Sequence, residues 1–319
     1  MRIGVCDCQD RLTAAFLHEA DKPALTKLMV TKVPIIYIAG SGHSGSTLLD
    51  LLLGSHSQIE SVGEVYKYLD PQRRMRILRC TCGATIDECA YWQSVQQAAT
   101  SDGEDALSAA DRSHRALVAV LRVSGKRLIC DSSKTLEQLA VYAEHPDLFD
   151  LQILHLVRDG RGTAFSMNRK WLRMLAQHGS AEHAKSTIRA RSKNPMVYGY
   201  YVSIVRWLRL NLRIAHRFAA HPGYHAIRYE DLADNPQLGL QAIMDRLNLP
   251  FEASQLDFAR QQHHNVGGNS MRVRSDSTVK KDTEYQERLS PLRWGFGTLL
   301  GLPLLLKYGY RLRRTLPSP

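Results

Sequence analysis

The feature that most constrains the fold is the seven-residue run Val33–Ala39 (VPIIYIA), followed directly by Gly40-Ser41-Gly42-His43-Ser44-Gly45-Ser46-Thr47 and then by an apolar stretch over residues 47–53. A continuous, β-branched run reads as a strand buried on both faces, and the Gly/Ser loop turns the chain from it into an apolar helix. Three further buried-strand candidates occupy residues 127–130 (RLIC), 151–157 (LQILHLV) and 224–229 (YHAIRY), separated by long helical stretches. Buried strands alternating with helices give a parallel sheet covered on both faces. The expected fold is therefore α/β and three-layered: a central parallel sheet flanked by helices, with helical insertions. Ligands of such sheets gather at the carboxyl ends of the strands.

The loop at that edge has the chemistry of an anion site. Glycines let the backbone turn its N–H groups inward, and the helix N-terminus adds partial positive charge. Gly42, His43, Ser44, Gly45, Ser46 and Thr47 are the candidate binding residues. The spacing Gly40-x4-Gly45 matches the Walker A frame, but Ser46 stands where that frame carries its lysine. A nucleoside-triphosphatase of the usual type needs that lysine on the transferred phosphate. A donor that carries phosphates but gives up a singly charged sulfuryl group needs only backbone, hydroxyls and one cationic or protonatable side chain. His43 is placed to be that side chain. A Gly/Ser turn without a ligand is the plain alternative.

Charge points the same way without choosing a partner. Forty-two Lys and Arg stand against 31 Asp and Glu, a formal net charge of +11 and a pI near 9.4. Such a surplus favours a nucleotide, a sulfated or phosphorylated molecule, nucleic acid or an acidic membrane surface. With 44% hydrophobic and 23% charged residues, the 319-residue chain has the composition of an ordinary globular protein.

Residues 36–48 resemble the 5′-phosphosulfate loop of sulfotransferases that use 3′-phosphoadenosine 5′-phosphosulfate (PAPS), in which a Lys or Arg precedes Ser-Gly-(Ser/Thr)-Thr. Leu156-Val157-Arg158-Asp159-Gly160-Arg161, with Ser166 seven residues past Asp159, resembles the family's 3′-phosphate motif. The style is closest to carbohydrate, tyrosylprotein and bacterial sulfotransferases. The resemblance implies a P-loop-like fold and release of the product nucleotide PAP, with Arg158 and Ser166 on the 3′-phosphate. Arg158 also emerges where an apolar strand ends, at the face of the first loop. Asp159 is expected to cap the following helix and leave Arg158 free for the ligand.

By the same resemblance Glu64, after Val62-Gly63, is the general base. Lys134, after Cys130-Asp131-Ser132-Ser133, stabilises the bridging oxygen and the sulfuryl group. His43 shares that task in place of the usual Lys or Arg. With an ordinary pKa of about 6.5, it must be protonated or donate a hydrogen bond while neutral. A competing assignment makes His43 the base and Glu64 a substrate-orienting group. The Gly/Asn-rich stretch from His264 to Arg272 resembles the family's C-terminal nucleotide-covering loop, which adds Gly268, Asn269 and Arg272. The acids of Tyr229-Glu230-Asp231-Leu232 are expected to be structural. The resemblance spans about residues 33–290, giving an N-terminal extension over 1–32, a sulfotransferase domain over 33–290 and a basic, apolar C-terminal helical tail over 291–319.

The expected reaction moves a sulfuryl group from PAPS to an acceptor hydroxyl on a glycan, lipid-linked sugar, small alcohol or tyrosine. One rival is an ATP/Mg²⁺ kinase of a small molecule, in which Asp131 at a strand end would hold the metal. Ser132 and Ser133 as the caps of a helix are the plainer account of that stretch. The other rival is a noncatalytic nucleotide- or membrane-binding protein; nucleic acid is not an expected partner. Residues 206–217 present Arg206, Arg209, Arg213 and Arg217 around Trp207, read as a solvated helix face with an aromatic anchored in the core. Cys80, Cys82 and Cys89 form a C-x-C-x6-C cluster without the paired C-x-x-C knuckles of structural zinc. Reduced thiols and no metal are expected, with a disulfide or a three-thiolate site as the alternatives. The pair His263-His264, with no third ligand close in sequence, is read as surface or substrate contact. No secretory signal is expected in residues 1–32, so the expected location is cytoplasmic. The apolar residues 294–306 fall short of the roughly 20 needed to span a bilayer. They read as a helix packed on the core or, with Lys307, Arg311, Arg313 and Arg314 behind them, lying on an anionic membrane.

Overall fold

The computed structural model describes residues 32–70, 79–100, 108–177, 199–273 and 276–314. Most of the N-terminal extension and the last five residues of the tail lie outside the described residues. Five parallel strands form one sheet: β1 (Val33–Ala39), β2 (Ile59–Gly63), β3 (Leu128–Asp131), β4 (Phe149–Val157) and β5 (Tyr224–Arg228), in the order β2-β3-β1-β4-β5. The strands read from sequence are present with ends shifted by one or two residues. Tyr229, expected to end the last strand, instead opens a helix, Tyr229–Asp234.

β1 is central because it is wholly apolar, and all of its residues but Pro34 are buried. Helix α1 (Ser46–Gly54) follows it, and Leu48, Leu49, Leu51, Leu52 and Leu53 are all buried in the main core cluster. Burying a leucine contributes about 1.5–3 kcal/mol, so this hydrophobic helix is fixed at the sheet's face and its N-terminus is fixed at the sheet's edge. Asp50, the polar exception on α1, is buried and accepts a 2.7 Å hydrogen bond from Ser61 of β2 and another from Asn265. That network ties the helix to the second strand and to a loop far along the chain.

Three helices cover the remaining faces near the site: α4 (Ala109–Ser124), α6 (Gly160–Gln177) and α7 (Tyr200–Phe218). The one-turn helix α2 (Tyr66–Leu69) follows β2, and two further ones, α3 (Ala90–Thr100) and α5 (Leu136–Glu144), flank α4 in the sequence. On α7, Trp207 is buried while Arg206, Arg209, Arg213 and Arg217 are exposed. The indole packs on Gly160, where a Cβ would lie 2.5 Å from the ring, and donates a 3.1 Å hydrogen bond to the Arg158 carbonyl. The arginine face is solvated, and the tryptophan anchors the loop after β4.

The C-terminal helix Pro291–Lys307 packs through Leu304 and Leu305 into a second cluster with Val157, Ile204 and Trp207. Arg161, buried and paired with Asp159 at 2.7 Å, donates to the Arg311 and Leu312 carbonyls. Tyr310 donates to Glu230 at 2.8 Å. Leu292, Leu299 and Leu306, one heptad apart, stay exposed on the other side of that helix. Among the described residues no helix is long and apolar enough to cross a membrane.

Candidate active site

The chain leaves β1 toward β2 and β3 on one side and reaches β4 and β5 on the other, so the strand order reverses at β1. A crevice opens there at the carboxyl edge, where open α/β sheets bind ligands. A cavity of about 960 Å³ fills it, lined by Gly42, His43, Gly45, Ser46, Thr47, Glu64, Lys134, Arg158, Ser166, Gly268 and Asn269. Residues spread over more than 200 positions meet because each follows a strand end or opens the next helix.

The loop after β1 is shaped for an anion. Gly45 takes φ 94°, and a Cβ there would lie 2.4 Å from the Tyr229 ring, so only glycine fits. No side chain caps α1, which leaves the amides of its first turn facing the cavity. The Ser44 hydroxyl is buried without a hydrogen-bond partner among the described residues. Ser44 lies behind the loop and does not line the cavity. His43 and Lys134 both adopt left-handed backbone, φ 67° and 63°. A non-glycine residue there costs on the order of 1–3 kcal/mol and is held by its surroundings.

Glu64 lies between two ammonium groups. Its Oε1 accepts from Lys134 Nζ at 2.9 Å and its Oε2 from Lys67. Burial alone would raise its pKa, but Lys134 and then Lys67 outweigh it and hold the carboxyl at about 2. Lys134 also donates to the Ser132 carbonyl at 2.9 Å, within its own tight turn. Among the described residues the histidine has no such charge partner: His43 Nδ1 lies 3.1 Å from Ser166 Oγ. Burial, followed by repulsion from Lys170, Arg158, Lys134 and Arg169, lowers its pKa to about 4. In the ligand-free protein this favours the neutral imidazole at pH 7, the form that takes part in the site by hydrogen bonding.

Arg158 is nearly buried, with its guanidinium 4.8 Å from the Tyr229 ring centroid. It does not pair with Asp159, but neither is it free. It donates to the His43 carbonyl at 3.1 Å and forms a 3.1 Å ion pair with Asp282. Asp159 caps α6 through the Arg161 amide at 2.9 Å. Glu230 accepts from the Asp159 amide at 3.0 Å, a structural role.

Arg272 does not line this cavity. It donates to the Arg79 and Asn265 carbonyls at 3.0 and 3.2 Å and faces a smaller cavity of about 290 Å³. The 3-10 turn Ser270–Val273 keeps it beside Gly268 and Asn269, since its amide donates to the Asn269 carbonyl at 3.1 Å and its Cδ lies 3.7 Å from where a Gly268 Cβ would be, but its guanidinium is turned onto the Arg79 and Asn265 carbonyls. Asp131 is also sequestered, accepting from the Ser133 amide at 2.7 Å and from Tyr142 at 2.9 Å. The helix after it is capped by Thr135, through the Gln138 amide, and not by Ser132 or Ser133.

Several cavity residues lie outside the sequence reading: Lys67, Arg169, Lys170, Arg173, Lys280, Lys281 and Asp282. Among the described residues, eight basic side chains line the cavity against the two acids Glu64 and Asp282. Ser166, Arg169, Lys170 and Arg173 follow the i, i+3, i+4, i+7 rule of one helix face, a signal the sequence carried. Lys280 and Lys281 sit in a loop with no such period.

The family model described as the sulfotransferase family matches residues 34–253. No curated protein matches the chain in sequence. Among solved structures, the sulfotransferase domain from the curacin biosynthetic pathway is similar with TM-score 0.55 and 22% identity, covering 88% of this chain and all of that one. The sulfotransferase domain from the Synechococcus PCC 7002 olefin synthase gives 0.50 and 19%, covering 90% and 97%. Those likenesses speak to the fold, the P-loop-like α/β fold of sulfotransferases, while the family match covers more than half of the 319 residues. On that match, and with an anion-shaped loop at the switch point of a parallel sheet, the chain belongs to the sulfotransferase family.

Proposed function

We propose that the sulfuryl donor is PAPS and that the acceptor is a hydroxyl. The observation that carries the reading is the basic cavity itself. PAPS bears roughly four negative charges, counting the 3′-phosphate at about −2. Eight cations converge from α6, the strand ends and the 280–281 loop. The uncapped first turn of α1 and the loop amides suit the 5′-phosphosulfate, while Ser166, Arg158 and the two lysines suit the 3′-phosphate.

In the reaction an acceptor oxygen attacks sulfur, the bond from sulfur to the bridging phosphate oxygen breaks, and PAP leaves with that electron pair. Lys134 donates to the bridging and sulfuryl oxygens as charge develops there, by analogy with phosphoryl transfer. Glu64 takes the hydroxyl proton. Free of ligand, its carboxylate is a weak base because two ammonium groups hold it. Drawing Lys134 onto the donor removes one of them and raises its basicity as the transfer begins. His43, neutral and bonded to Ser166, shapes the loop and donates or accepts a hydrogen bond without carrying charge. No metal is needed for this charge balance.

The kinase reading fares worse on two counts: Ser46 supplies no loop cation, and Asp131 is committed to Tyr142 and a backbone amide away from the cavity. A purely noncatalytic role leaves the paired Glu64 and Lys134 at the cavity without a purpose. The proposal includes peripheral membrane contact, because exposed Leu292, Leu299 and Leu306 are accompanied by exposed Arg293, Lys307, Arg311 and Arg313. The deciding experiment is an acceptor screen with labelled PAPS over sugars, lipid-linked sugars, alcohols and tyrosyl peptides. Label transferred to a hydroxyl supports the reading. Transfer from labelled ATP with Mg²⁺ and none from PAPS would overturn it.

A further inference from the structure

The segment after the 5′ side of the site holds a second cluster, which donor chemistry does not use. Cys80, Cys82, Cys89 and His264 point their Sγ and Nδ1 atoms at one another, all within 4.8 Å. The sulfur separations are 3.7 Å for Cys82 to Cys89 and 3.6 Å for Cys89 to Cys80; Nδ1 lies 3.5 Å from Cys80 and 3.4 Å from Cys89. A tetrahedron with metal–sulfur bonds of about 2.3 Å and metal–nitrogen bonds of about 2.0–2.1 Å has edges of about 3.8 Å between sulfurs and about 3.5 Å between sulfur and nitrogen. Four of the six separations match their edges within about 0.2 Å, and the other two, Cys80–Cys82 and Cys82–His264, stay within 4.8 Å. The cysteines are free thiols, and a disulfide would use two of them and strand the third beside the imidazole.

The surroundings are built to hold those four atoms in place. Cys80 and Cys82 sit on a tight turn closed by the Gly83 amide on the Cys80 carbonyl at 3.1 Å, with Gly83 in left-handed backbone. Cys89 precedes α3. The His264 ring stacks on Tyr91 with centroids 4.6 Å apart and planes 6° from parallel. Its carbonyl accepts from Trp92 at 2.7 Å. The Gln262 amide lies 3.2 Å from Nε2, and with its oxygen turned there it accepts the proton that an Nδ1 ligand keeps on Nε2.

We propose that Cys80, Cys82, Cys89 and His264 form a structural Zn²⁺ site. Three thiolates and one imidazole make a closed tetrahedral set with no open position for substrate, the pattern of a structural ion. Edges this short suit one ion and not an iron–sulfur cluster, whose cysteines are spread over several irons. Binding releases three thiol protons and leaves the centre at net −1. Arg272, bonded to the carbonyl of Arg79 just before Cys80, directs its guanidinium to that side.

The ion joins chain segments that also meet through backbone and side-chain bonds. Thr81 donates to the Asn265 carbonyl at 3.2 Å, and Val266 pairs with both Cys80 and Gly63. The Glu64 amide donates to the Val266 carbonyl at 2.7 Å, and Gly268 and Asn269 follow on the cavity wall. The ion therefore fixes the backbone under Glu64 and the loop facing it. The zinc assignment stands on the cluster alone; only this effect on the cavity rests on the donor reading.

The test is metal analysis of the full chain purified with a non-thiol reductant, followed by reconstitution with Co²⁺. The proposal expects one zinc per chain and, with cobalt, the intense visible bands and thiolate charge transfer of tetrahedral sulfur ligation. Cys82→Ser should bind zinc at least roughly tenfold more weakly, while Cys130→Ser, a buried cysteine outside the cluster, should keep one equivalent. The wild-type cobalt spectrum decides the matter even if Cys82→Ser fails to fold. Wild-type protein without zinc and with only octahedral cobalt would overturn the site, as would a disulfide among the three cysteines under the same reductant. Undiminished zinc affinity in a folded Cys82→Ser protein would also overturn it.

Discussion

Asp282→Asn separates stability from donor binding at one residue. The Asp282 carboxylate lies 3.1 Å from Arg158 and 3.5 Å from Arg169, so it occupies the guanidiniums that a 3′-phosphate must reach. At 3.1 Å and an effective dielectric near 20, the attraction to Arg158 is about 5 kcal/mol before desolvation. A charged hydrogen bond nets only about 1.5–3 kcal/mol, and a phosphate must displace part of it to bind. Asparagine keeps the backbone carbonyl that accepts from Arg158 at 3.2 Å but removes the competing charge. The variant should bind PAP about 5–30-fold more tightly, that is by about 1–2 kcal/mol. Without ligand it should be less stable by about 1–3 kcal/mol, because Arg158 loses its buried counter-charge. Calorimetric titration with PAP, paired with urea unfolding, reads both signs on the same protein. A folded Asp282→Asn protein that binds PAP no more tightly than wild type would refute the competition.

Once an acceptor is in hand, Glu64→Gln should lower kcat by about 10²–10⁴-fold and leave PAP affinity unchanged or tighter, whereas His43→Ala should act mainly on KM for the donor. The reverse pattern, an active Glu64→Gln enzyme and an inert His43→Ala, would make the histidine the base. The pH profile follows from the same groups. With His43 held neutral by a pKa of about 4 and Glu64 ionised by one of about 2, kcat/KM should be flat from about pH 5.5 to 8. A fall with rising pH centred near the ordinary histidine value would show that His43 works as a cation. At the C-terminus, flotation with anionic vesicles should recover the wild-type chain and lose most of a Leu292→Ser/Leu299→Ser/Leu306→Ser variant. Equal recovery of both, or of neither, counts against membrane contact.

How much of this was legible in the sequence depended on whether position along the chain fixes position in space. Strand ends are legible: an apolar run that stops at Ala39 or Val157 places the next residues at the sheet edge, which brought His43, Arg158, Ser166, Glu64 and Lys134 together. Register alone cannot say what a side chain finds there. Arg158 meets Asp282 more than 120 residues later, and Glu64 meets Lys67 one turn on, so their charge states lay outside a linear reading. Arg272 stays beside Gly268 and Asn269, but its guanidinium bonds to the Arg79 and Asn265 carbonyls, partners that its place in the sequence does not name. The cysteine cluster shows the limit most clearly. Its fourth member, His264, stands 175 residues beyond Cys89, and no local spacing could have paired it with three thiols.

The central claim is that the basic cavity takes the PAPS nucleotide, and titration of the wild-type chain and Arg158→Ala with PAP tests it most directly. Saturable one-site binding to the wild type is expected, with a loss of at least roughly tenfold in Arg158→Ala, the cost of one charged contact to phosphate. No saturable binding to the wild type, or equal binding to both, would contradict it.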